Sequence, residues 1–273
     1  MFTTRKTILI TGATDGIGKQ TAKILVQQGA RVLIHGQSAL NVQSTLKEIT
    51  QEYPQAELDG YVADFSSLQA VRELAEQIQT KEPALQVLIN NAGTYSPNFQ
   101  LSKDGFELTF AVNHLAPFLL TLLLVEKIKS NSPARIINVV SIAHTVHDLD
   151  ISKINDEAGY KAWHAYKLSK FANIVATFEL AKRLEGSGVT VNCLHPGAVD
   201  TKMLHSAFPD TQGVSIEEGA KSSIYLASSD EVTEINGAYF KECKPLASAP
   251  LTYDKEIQKA LWKQCEEWVG FSV

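Results

Sequence analysis

The stretch TGATDGIG at residues 11–18 decides the fold class of this 273-residue chain. It follows the apolar run KTILI at residues 6–10 and precedes a helical pattern, KQTAKILV, at residues 19–26. A strand that passes through a glycine-rich turn into a helix lets the backbone approach a pyrophosphate closely, and the helix start attracts the phosphates. The glycine spacing differs from G-x-G-x-x-G, so a tight turn without a ligand stays the alternative.

A second pattern lies in the middle of the chain. Tyr166 and Lys170 are four residues apart, which places a phenol and an ammonium on one face of a helix. Such pairs are common on solvated helices, so this pair carries weight only together with other motifs. Those motifs are Asn113 in a helical pattern, NNAG at residues 90–93, Ser141 after an apolar strand pattern, and PG at residues 196–197.

With these motifs in this order, the sequence resembles the short-chain dehydrogenase/reductase family over about residues 6–240. The resemblance implies hydride transfer between a nicotinamide dinucleotide and an alcohol or carbonyl group. It implies that Asn113, Ser141, Tyr166 and Lys170 are catalytic. The cofactor-binding residues it implies are Gly12, Thr14, Asp15, Gly16, Ile17, Gly18, Gln37, Asp64, Phe65, Asn91, Ala92, Gly93, Tyr166, Lys170, Pro196, Gly197, Val199 and Thr201.

Two further features are similar to the retinol-dehydrogenase-like branch of that family. Ser141 and Tyr166 are 25 positions apart, a longer separation than in many members, and the chain continues well past AYF at residues 238–240. That branch acts on apolar aldehydes, ketones and alcohols, and many of its members are membrane-bound. We therefore expect a largely apolar small-molecule substrate, with retinoid activity left open.

Segments with strand and helix patterns alternate along the chain, which predicts an α/β fold. A single doubly wound parallel sheet of about seven strands, of the Rossmann type, is expected with helices on both faces. The domain should comprise residues 1–273, with a C-terminal helical extension over about residues 242–273. The predicted strands are 6–11, 31–35, 58–63, 85–90, 135–140, 189–194 and 237–241, and the predicted helices are 17–28, 39–50, 68–79, 105–129, 163–184 and 216–227.

Composition narrows the class of partner. The hydrophobic content of 44% supports a large core, and the net charge of −5 argues against nucleic acid and a polybasic membrane contact. Residues 1–6 lead straight into a strand pattern, and the longest apolar run, 118–125, is short for a bilayer. We expect a cytoplasmic protein without a transmembrane anchor. Homo-oligomerisation is left open.

The cofactor contacts have physical roles. Asp64 resembles the acid that accepts a hydrogen bond from the adenine amino group, and its alternative role is an N-cap for the helix that follows. Asn91, Ala92 and Gly93 look like the loop beside the adenosine ribose. The segment with Pro196, Gly197, Val199 and Thr201 looks like the one that holds the nicotinamide carboxamide.

The choice between NADP(H) and NAD(H) depends on the end of the second strand. An NAD site requires a carboxylate there, but the sequence reads IHGQS at residues 34–38. Relatives often carry an arginine for the 2′-phosphate where Gln37 stands, so the strongest NADP marker is absent as well. Asp15 would repel that phosphate, and Lys19 could attract it. We expect NADP(H), with an NAD-preferring enzyme as the alternative.

The expected chemistry is general acid–base catalysis by Tyr166. A free phenol has a pKa of about 10, and lowering it to about 7 requires roughly 4 kcal/mol. One ammonium at about 4 Å supplies energy of that order at an effective dielectric constant of about 20, so Lys170 and the oxidised nicotinamide are expected to lower this pKa. Lys170 would also hold the ribose hydroxyls, and Ser141 would bind the substrate oxygen.

Pro117 suggests a mechanism for Asn113. Proline has no N–H, so the carbonyl of Asn113 loses its usual helical partner and becomes free to hold a water that relays protons to Lys170. The alternative is a kink with that carbonyl facing bulk water.

The remaining motifs are weaker. No metal site is expected, because His144 and His147 lack a third ligand at a recognisable spacing and the three cysteines are scattered. His144 lines the substrate pocket or lies on a surface loop. Residues 257–268 predict a C-terminal helix, and residues 203–208 predict a mobile lid. Met203, Leu204 and Phe208, with Trp163 and Tyr95, would form an apolar enclosure or pack only against the domain.

Two other functions are compatible with the fold. One is a non-catalytic binding protein that responds to the dinucleotide, although such a protein needs no phenol–ammonium pair. The other is an isomerase or dehydratase, which would show no net cofactor turnover. The substrate and the physiological direction are left open by the sequence.

Overall fold

Short apolar segments form the strands of one sheet in the computed structural model, which describes residues 5–145, 151 and 154–272. Seven of these strands are mutually parallel and the last is antiparallel. Within the described residues the strands are β1 (Thr7–Ile10), β2 (Arg31–Gly36), β3 (Glu57–Val62), β4 (Val87–Asn90), β5 (Ala134–Val139), β6 (Val189–His195), β7 (Tyr239–Lys241) and β8 (Lys244–Leu246).

Helices follow the strands as the alternating patterns predict. In the part of the chain that the structure describes, they are α1 (Gly16–Gln27), α2 (Ala39–Glu52), α3 (Leu68–Lys81), α4 (Leu108–Phe110), α5 (Ala116–Lys129), α6 (Ala162–Arg183), α7 (Lys202–Ala207), α8 (Ile216–Ser228) and α9 (Lys255–Val269). A π-helical turn, Ala111–Leu115, joins α4 to α5.

The central strands β1, β2, β4, β5 and β6 are buried on both faces, whereas the edge strands β3 and β8 are largely exposed. Ile8 and Ile10 pack with α1, α2 and α8 on one face, whereas Leu9 packs with α3, α5, α6 and α9 on the other. Such two-sided burial explains why the strands show continuous apolar runs and not alternation. The predicted doubly wound α/β fold is confirmed.

The strand order places the site. The strands run β3-β2-β1-β4-β5-β6-β7-β8, so the chain leaves β1 towards β2 and later returns to the other side of β1 as β4. Open α/β sheets bind ligands beyond the carboxyl ends of the strands at such a reversal. The glycine-rich stretch begins at the carboxyl end of β1 and therefore lies there.

The strand count and the form of the C-terminal extension differ from the prediction. The sheet has an eighth strand, β8, within the region expected to be helical, and α9 begins only at Lys255. A two-residue turn pairs β8 with β7, with Glu242 at φ 51° and Cys243 at φ 60°. The sequence does not indicate this hairpin, because neither turn residue favours positive φ and because proline, as at Pro245, is rare in strands. The structure accommodates Pro245 because β8 is the edge strand of the sheet.

The helix predicted over residues 105–129 begins later and is not uniform. Helical structure begins at Leu108, and the π-turn precedes Pro117, whose ring cannot donate the usual hydrogen bond. By length and composition, the segment Leu108–Lys129 could cross a membrane. The uninterrupted apolar run at residues 118–125, on which the expectation of no anchor depends, is shorter than this segment. In the protein, 83% of the segment's most apolar window is buried.

Candidate active site

A cleft of about 1080 Å³ opens at the carboxyl ends of the strands. It is bounded by the glycine-rich turn, the loops after β2, β3 and β4, and the residues after β6. Of the residues expected to hold the cofactor, sixteen line this cleft: Gly12, Thr14, Asp15, Gly16, Ile17, Gly18, Gln37, Asp64, Phe65, Asn91, Ala92, Gly93, Tyr166, Lys170, Pro196 and Thr201.

Close backbone packing requires glycine at two positions of the turn. A Cβ atom on Gly12, which has φ 63°, would lie 2.8 Å from the Cα atom of Ala92. A Cβ atom on Gly18 would lie 2.3 Å from the carbonyl oxygen of Gly12 and 2.4 Å from the amide nitrogen of Asn91. Helix α1 begins at Gly16, and Gly16, Ile17 and Gly18 in its first turn line the cleft. The turn therefore fits a dinucleotide pyrophosphate.

Asn91 fastens the loop after β4 to this turn. Its side-chain amide donates hydrogen bonds to the carbonyls of Thr11, at 2.9 Å, and Gly12, at 3.1 Å. The Thr11 hydroxyl in turn accepts from the backbone N–H groups of Asn91 and Ala92. The two loops predicted to hold the phosphates and the ribose thus form one hydrogen-bonded unit.

The adenine end of the cleft is built around Asp64. This carboxylate forms an ion pair with Lys103 at 2.9 Å and accepts from the side-chain amide of Gln37 at 3.2 Å. Its alternative role as helix N-cap is wrong, because Ser67 caps α3 and accepts from the N–H of Ala70.

A buried histidine behind the adenine end was not predicted. His35 accepts from the N–H of Gly12 through Nδ1, at 3.3 Å, and Nε2 lies 3.1 Å from the carbonyl of Ala63. Its ring stacks on Phe65, with centroids 4.4 Å apart. Burial lowers the pKa of His35 to about 4, so the ring is neutral and braces the glycine turn. No sequence motif indicated this role.

The carboxamide-binding segment is only partly at the cleft. Pro196 and Thr201 line it, whereas Gly197 and Val199 are not among the lining residues. Val199 is buried and packs against Gly219, where a Cβ would lie 2.5 Å from the valine side chain. The Thr201 hydroxyl caps α7.

Lysines near the phosphate end are already paired. Lys202, which was not predicted, lines the cleft and contacts Asp15 at 2.6 Å, so the charge expected to repel a phosphate is compensated. Lys19, which was expected to attract the phosphate, instead pairs with Glu48 on α2.

The catalytic set gathers at the inner end of the cleft. The Ser141 hydroxyl lies near that of Tyr166 and acts to lower the pKa of the phenol. Lys170 is buried, and its Nζ donates to the carbonyl of Val139 at 3.0 Å and lies 5.6 Å from the centre of the Tyr166 ring. Helix α6 carries Tyr166 and Lys170, and Ser141 follows the end of β5 by two residues, so one helix and the loop after one strand bring these three together.

Burial governs the protonation of both titratable groups. Burial lowers the pKa of Lys170 to about 8 and raises the pKa of Tyr166, and the neighbouring Ser141 hydroxyl only partly offsets the rise. Lys170 is not among the groups that shift the pKa of this phenol in the chain by itself, and a pKa lowered by Lys170 together with the oxidised nicotinamide stays a prediction. The removal of the phenol from water disfavours its charged form more than an ammonium without a hydrogen bond to the phenol can favour it.

Asn113 has partners that the sequence did not suggest. Its carbonyl accepts one hydrogen bond, from the side-chain amide of Asn173 at 2.7 Å, and the water relay at this carbonyl stays a prediction. Its side chain accepts from the N–H of Thr94 at 2.7 Å and donates to the hydroxyl of Ser169 at 3.1 Å. The carbonyl does lack the Pro117 partner, as predicted, but it does not face bulk water.

His144 neither lines the cleft nor lies on a surface loop. It is buried, its Nδ1 donates to the carbonyl of Ser141 at 2.7 Å, and its Nε2 accepts from the N–H of Ala249 at 3.0 Å. It therefore ties the Ser141 loop to the C-terminal extension. His147 lies outside the described residues, among which no group of three metal-ligating side chains is found.

Aromatic rings surround the phenol. Trp163 stacks on Tyr166 with centroids 5.6 Å apart, and Tyr95 meets the same ring edge-on at 6.1 Å. Phe208, just after α7, packs edge-on against Trp163 at 5.0 Å. Met203 on α7 also lines the cleft, whereas Leu204 is not among its lining residues.

This geometry defines a nicotinamide-dinucleotide oxidoreductase with a serine–tyrosine–lysine site. The sequence profile of the short chain dehydrogenase family matches residues 6–212, and the chain belongs to that family. Retinol dehydrogenase 14 from Homo sapiens is 39% identical over 97% of this chain and 86% of its own length. Retinol dehydrogenase 13 from Homo sapiens is 38% identical over 97% and 85%. These relatives confirm the resemblance to the retinol-dehydrogenase-like branch.

Solved structures show the same fold. An uncharacterised protein from Mycobacterium paratuberculosis superposes with a TM-score of 0.81 and 27% identity, covering 98% of this chain and 94% of its own. A protein described as an NAD(P)-dependent gluconate 5-dehydrogenase, from Beutenbergia cavernae, superposes with a TM-score of 0.73 and 25% identity over 87% and 94%. Its structure holds NADP at low occupancy.

The burial of Lys170 predicts a measurable cost in stability. Its pKa is depressed on folding from 10.5 to about 8, so the cost is fully present below pH 8 and disappears as the pH rises towards 10.5. Lys170→Met should therefore raise the free energy of unfolding at pH 7 by about 1–3 kcal/mol, the lost hydrogen bond to Val139 reducing the gain. Denaturant unfolding across pH 7 to about pH 10 measures the difference.

Lys167→Met, one turn away on the same helix, is the matched control and should change stability little at any pH. A Lys170→Met protein that is less stable than wild type at pH 7, or a difference that stays constant with pH, would contradict the burial argument.

Proposed function

We propose that this protein reduces apolar aldehydes or ketones, and in the reverse direction oxidises the corresponding alcohols, with NADP(H) preferred over NAD(H). The observation that carries the proposal is the convergence of Ser141, Tyr166 and buried Lys170 at the inner end of a cleft that begins at the glycine turn. A dinucleotide-binding protein without catalysis has no need of this buried set.

The chain's own residues support the reductive direction. A bound nicotinamide dinucleotide supplies or accepts the hydride. Because burial raises the pKa of Tyr166, the phenol is protonated near neutral pH and can donate its proton to an alkoxide oxygen. Ser141, whose hydroxyl lies near that of Tyr166, is placed to hold the same substrate oxygen.

Lys170 and Asn113 complete the site. With a pKa near 8, the Lys170 amine exchanges a proton readily at physiological pH, which suits replenishment of the phenol. Asn113 fixes the loop at Thr94 through two hydrogen bonds. Its Oδ1 accepts from the N–H of Thr94 at 2.7 Å, and its Nδ2 donates to the carbonyl of Thr94 at 3.0 Å. Gly93 and Thr94 line the cleft, so Asn113 shapes the wall against which the dinucleotide binds.

The charge at the adenosine end supports NADP(H). Strand β2 ends at Gly36 and is followed by the neutral Gln37 and by Ser38, which caps α2. No acidic residue lies in the first turn of α2, so the positive end of its dipole is not compensated there. Asp64, the nearby carboxylate, is paired with Lys103. A 2′-phosphate would therefore meet donors and not an unpaired carboxylate.

An apolar substrate follows from the rings around Tyr166. Trp163 and Phe208 remain about two-fifths exposed, at 41% and 39%, and Ile142 beside Ser141 is 57% exposed. Apolar groups left in water at a site entrance favour an apolar ligand, because its binding removes their surface from water.

We also infer a cytoplasmic location, which the net charge of −5 and the absence of disulfides among the three cysteines support.

The catalytic role of Tyr166 is tested by Tyr166→Phe. We expect kcat for NADPH-dependent aldehyde reduction to fall by about 10²–10⁴, because only the transferable proton is lost. The Kd for the dinucleotide should stay near the wild-type value in a fluorescence titration. Tyr225→Phe, at a partly buried tyrosine that is bonded to Glu231 and does not line the cleft, is the control and should keep full activity. A nearly normal kcat in Tyr166→Phe would contradict the proposed mechanism.

Cofactor preference is tested at Gln37. Gln37→Arg should tighten NADP binding selectively, since a guanidinium–phosphate contact is charge-assisted. Gln37→Glu has nearly the same shape with opposite charge and should shift preference towards NAD. Titration calorimetry of each protein with both dinucleotides decides the matter. Wild type that binds NAD more than about tenfold better than NADP, a difference of 1.4 kcal/mol, would overturn the preference.

The substrate class is tested with aldehydes of increasing chain length. We expect kcat/KM to rise along the series, each buried methylene contributing up to about 0.8 kcal/mol, and Trp163→Ala to flatten the rise. Leu246→Ala, at a residue 53% exposed on β8, is the control and should leave the slope unchanged. A flat wild-type series, or a preference for short polar substrates, would refute the apolar site.

A further inference from the structure

The C-terminal helix reaches the active site through a chain of buried hydrogen bonds. Cys265, on the inner face of α9, has its Sγ 3.2 Å from Nε2 of His114 in the π-turn. Nδ1 of His114 lies 2.9 Å from Oδ1 of Asn173 on α6, whose Nδ2 lies 2.7 Å from the carbonyl oxygen of Asn113. The exposures of these four residues are 1%, 0%, 9% and 1%.

The direction of every bond in this Cys265–Asn113 chain is fixed from one end. The carbonyl of Asn113 can only accept, so Asn173 presents its NH₂ group there and its oxygen to His114. Nδ1 of His114 must therefore donate. Since burial lowers the pKa of His114 to about 4, the ring is neutral and its Nε2 accepts from the thiol of Cys265. One donor on α9 thus satisfies the last acceptor in the chain.

Asn113 passes this constraint to the cleft. Its side-chain amide brackets the backbone of Thr94, at 2.7 Å and 3.0 Å, and donates to the hydroxyl of Ser169. The Ser169 hydroxyl donates to the carbonyl of Tyr166 at 2.7 Å. A rotation of the Asn113 peptide would therefore disturb both the cofactor loop and the turn that carries the phenol.

We propose that Cys265, His114 and Asn173 are positioning residues for Asn113, so that the C-terminal helix is a working part of the active site and not only a cover for the core. The proposal rests on the proposed role of Asn113 in catalysis. The π-turn before Pro117 makes the arrangement necessary, because the Asn113 carbonyl lacks its usual helical donor.

Cys265→Ala and Cys265→Ser separate the hydrogen bond from the packing. Alanine removes the donor and leaves Nε2 of His114 buried without a partner, whereas serine restores an O–H donor. We expect Cys265→Ala to lower kcat about tenfold with the dinucleotide KM changed less than about twofold, and Cys265→Ser to recover most of kcat. Cys193→Ala, at a fully buried thiol on β6, is the matched control and should lower the melting temperature without lowering kcat.

Amide hydrogen exchange at Thr94 gives a readout that does not need turnover. Its N–H donates to Asn113, so exchange should be faster in Cys265→Ala than in wild type or Cys265→Ser. Equal exchange rates in the three proteins, or equal kcat in the alanine and serine variants, would overturn the proposal. Wild type without activity on any carbonyl would contradict the proposed function instead, and the exchange rates would still decide the role of Cys265.

Discussion

The burial of the Lys170 amine beneath the substrate site is the constraint on which the rest of the arrangement depends. The amine has a hydrogen bond to the Val139 carbonyl at the end of β5, and the described residues show no ion pair for it. Helix α6 must pack closely on the sheet to bring this amine to that carbonyl. The same packing places Tyr166 against Ser141, so the catalytic geometry follows from how one helix lies on one strand.

Desolvation then sets the proton chemistry. It lowers the pKa of Lys170 towards neutral pH and raises the pKa of Tyr166 further above neutral pH. A protonated phenol beside an amine that readily exchanges its proton is suited to carbonyl reduction. At the other end of the cleft, carboxylates are matched by lysines, as in Asp15–Lys202 and Asp64–Lys103, so the dinucleotide meets little uncompensated negative charge there.

Local patterns predicted the parts of this structure that depend on local chemistry. The strand–glycine turn–helix unit and the spacing of Tyr166 and Lys170 each lie within a few residues, and the structure confirms the Rossmann-type sheet. Contacts between distant segments could not be predicted. His144 meets Ala249 across 105 positions and His114 meets Cys265 across 151, and a single sequence does not mark such partners.

The features that differ from the prediction also depend on distant segments or on unusual backbone angles. Pro117 predicts that the carbonyl of Asn113 needs a partner other than the usual helical N–H. Its partner in the structure is the side-chain amide of Asn173, on α6, and sequence patterns do not indicate that α6 lies beside this carbonyl. The sequence does not predict the short strand β8, because Glu242 and Cys243 in the turn before it take positive φ values that their residue types disfavour. Relatives named as retinol dehydrogenases confirm the branch but leave the substrate to experiment.

The central claim is that burial keeps Tyr166 protonated and lowers the pKa of Lys170 in the protein's own framework. The most direct measurement is the ultraviolet difference absorbance of tyrosinate, wild type minus Tyr166→Phe, titrated without dinucleotide. The account predicts no ionisation assigned to Tyr166 below about pH 10, the ordinary value for a phenol. An ionisation near neutral pH that disappears in Tyr166→Phe would contradict it.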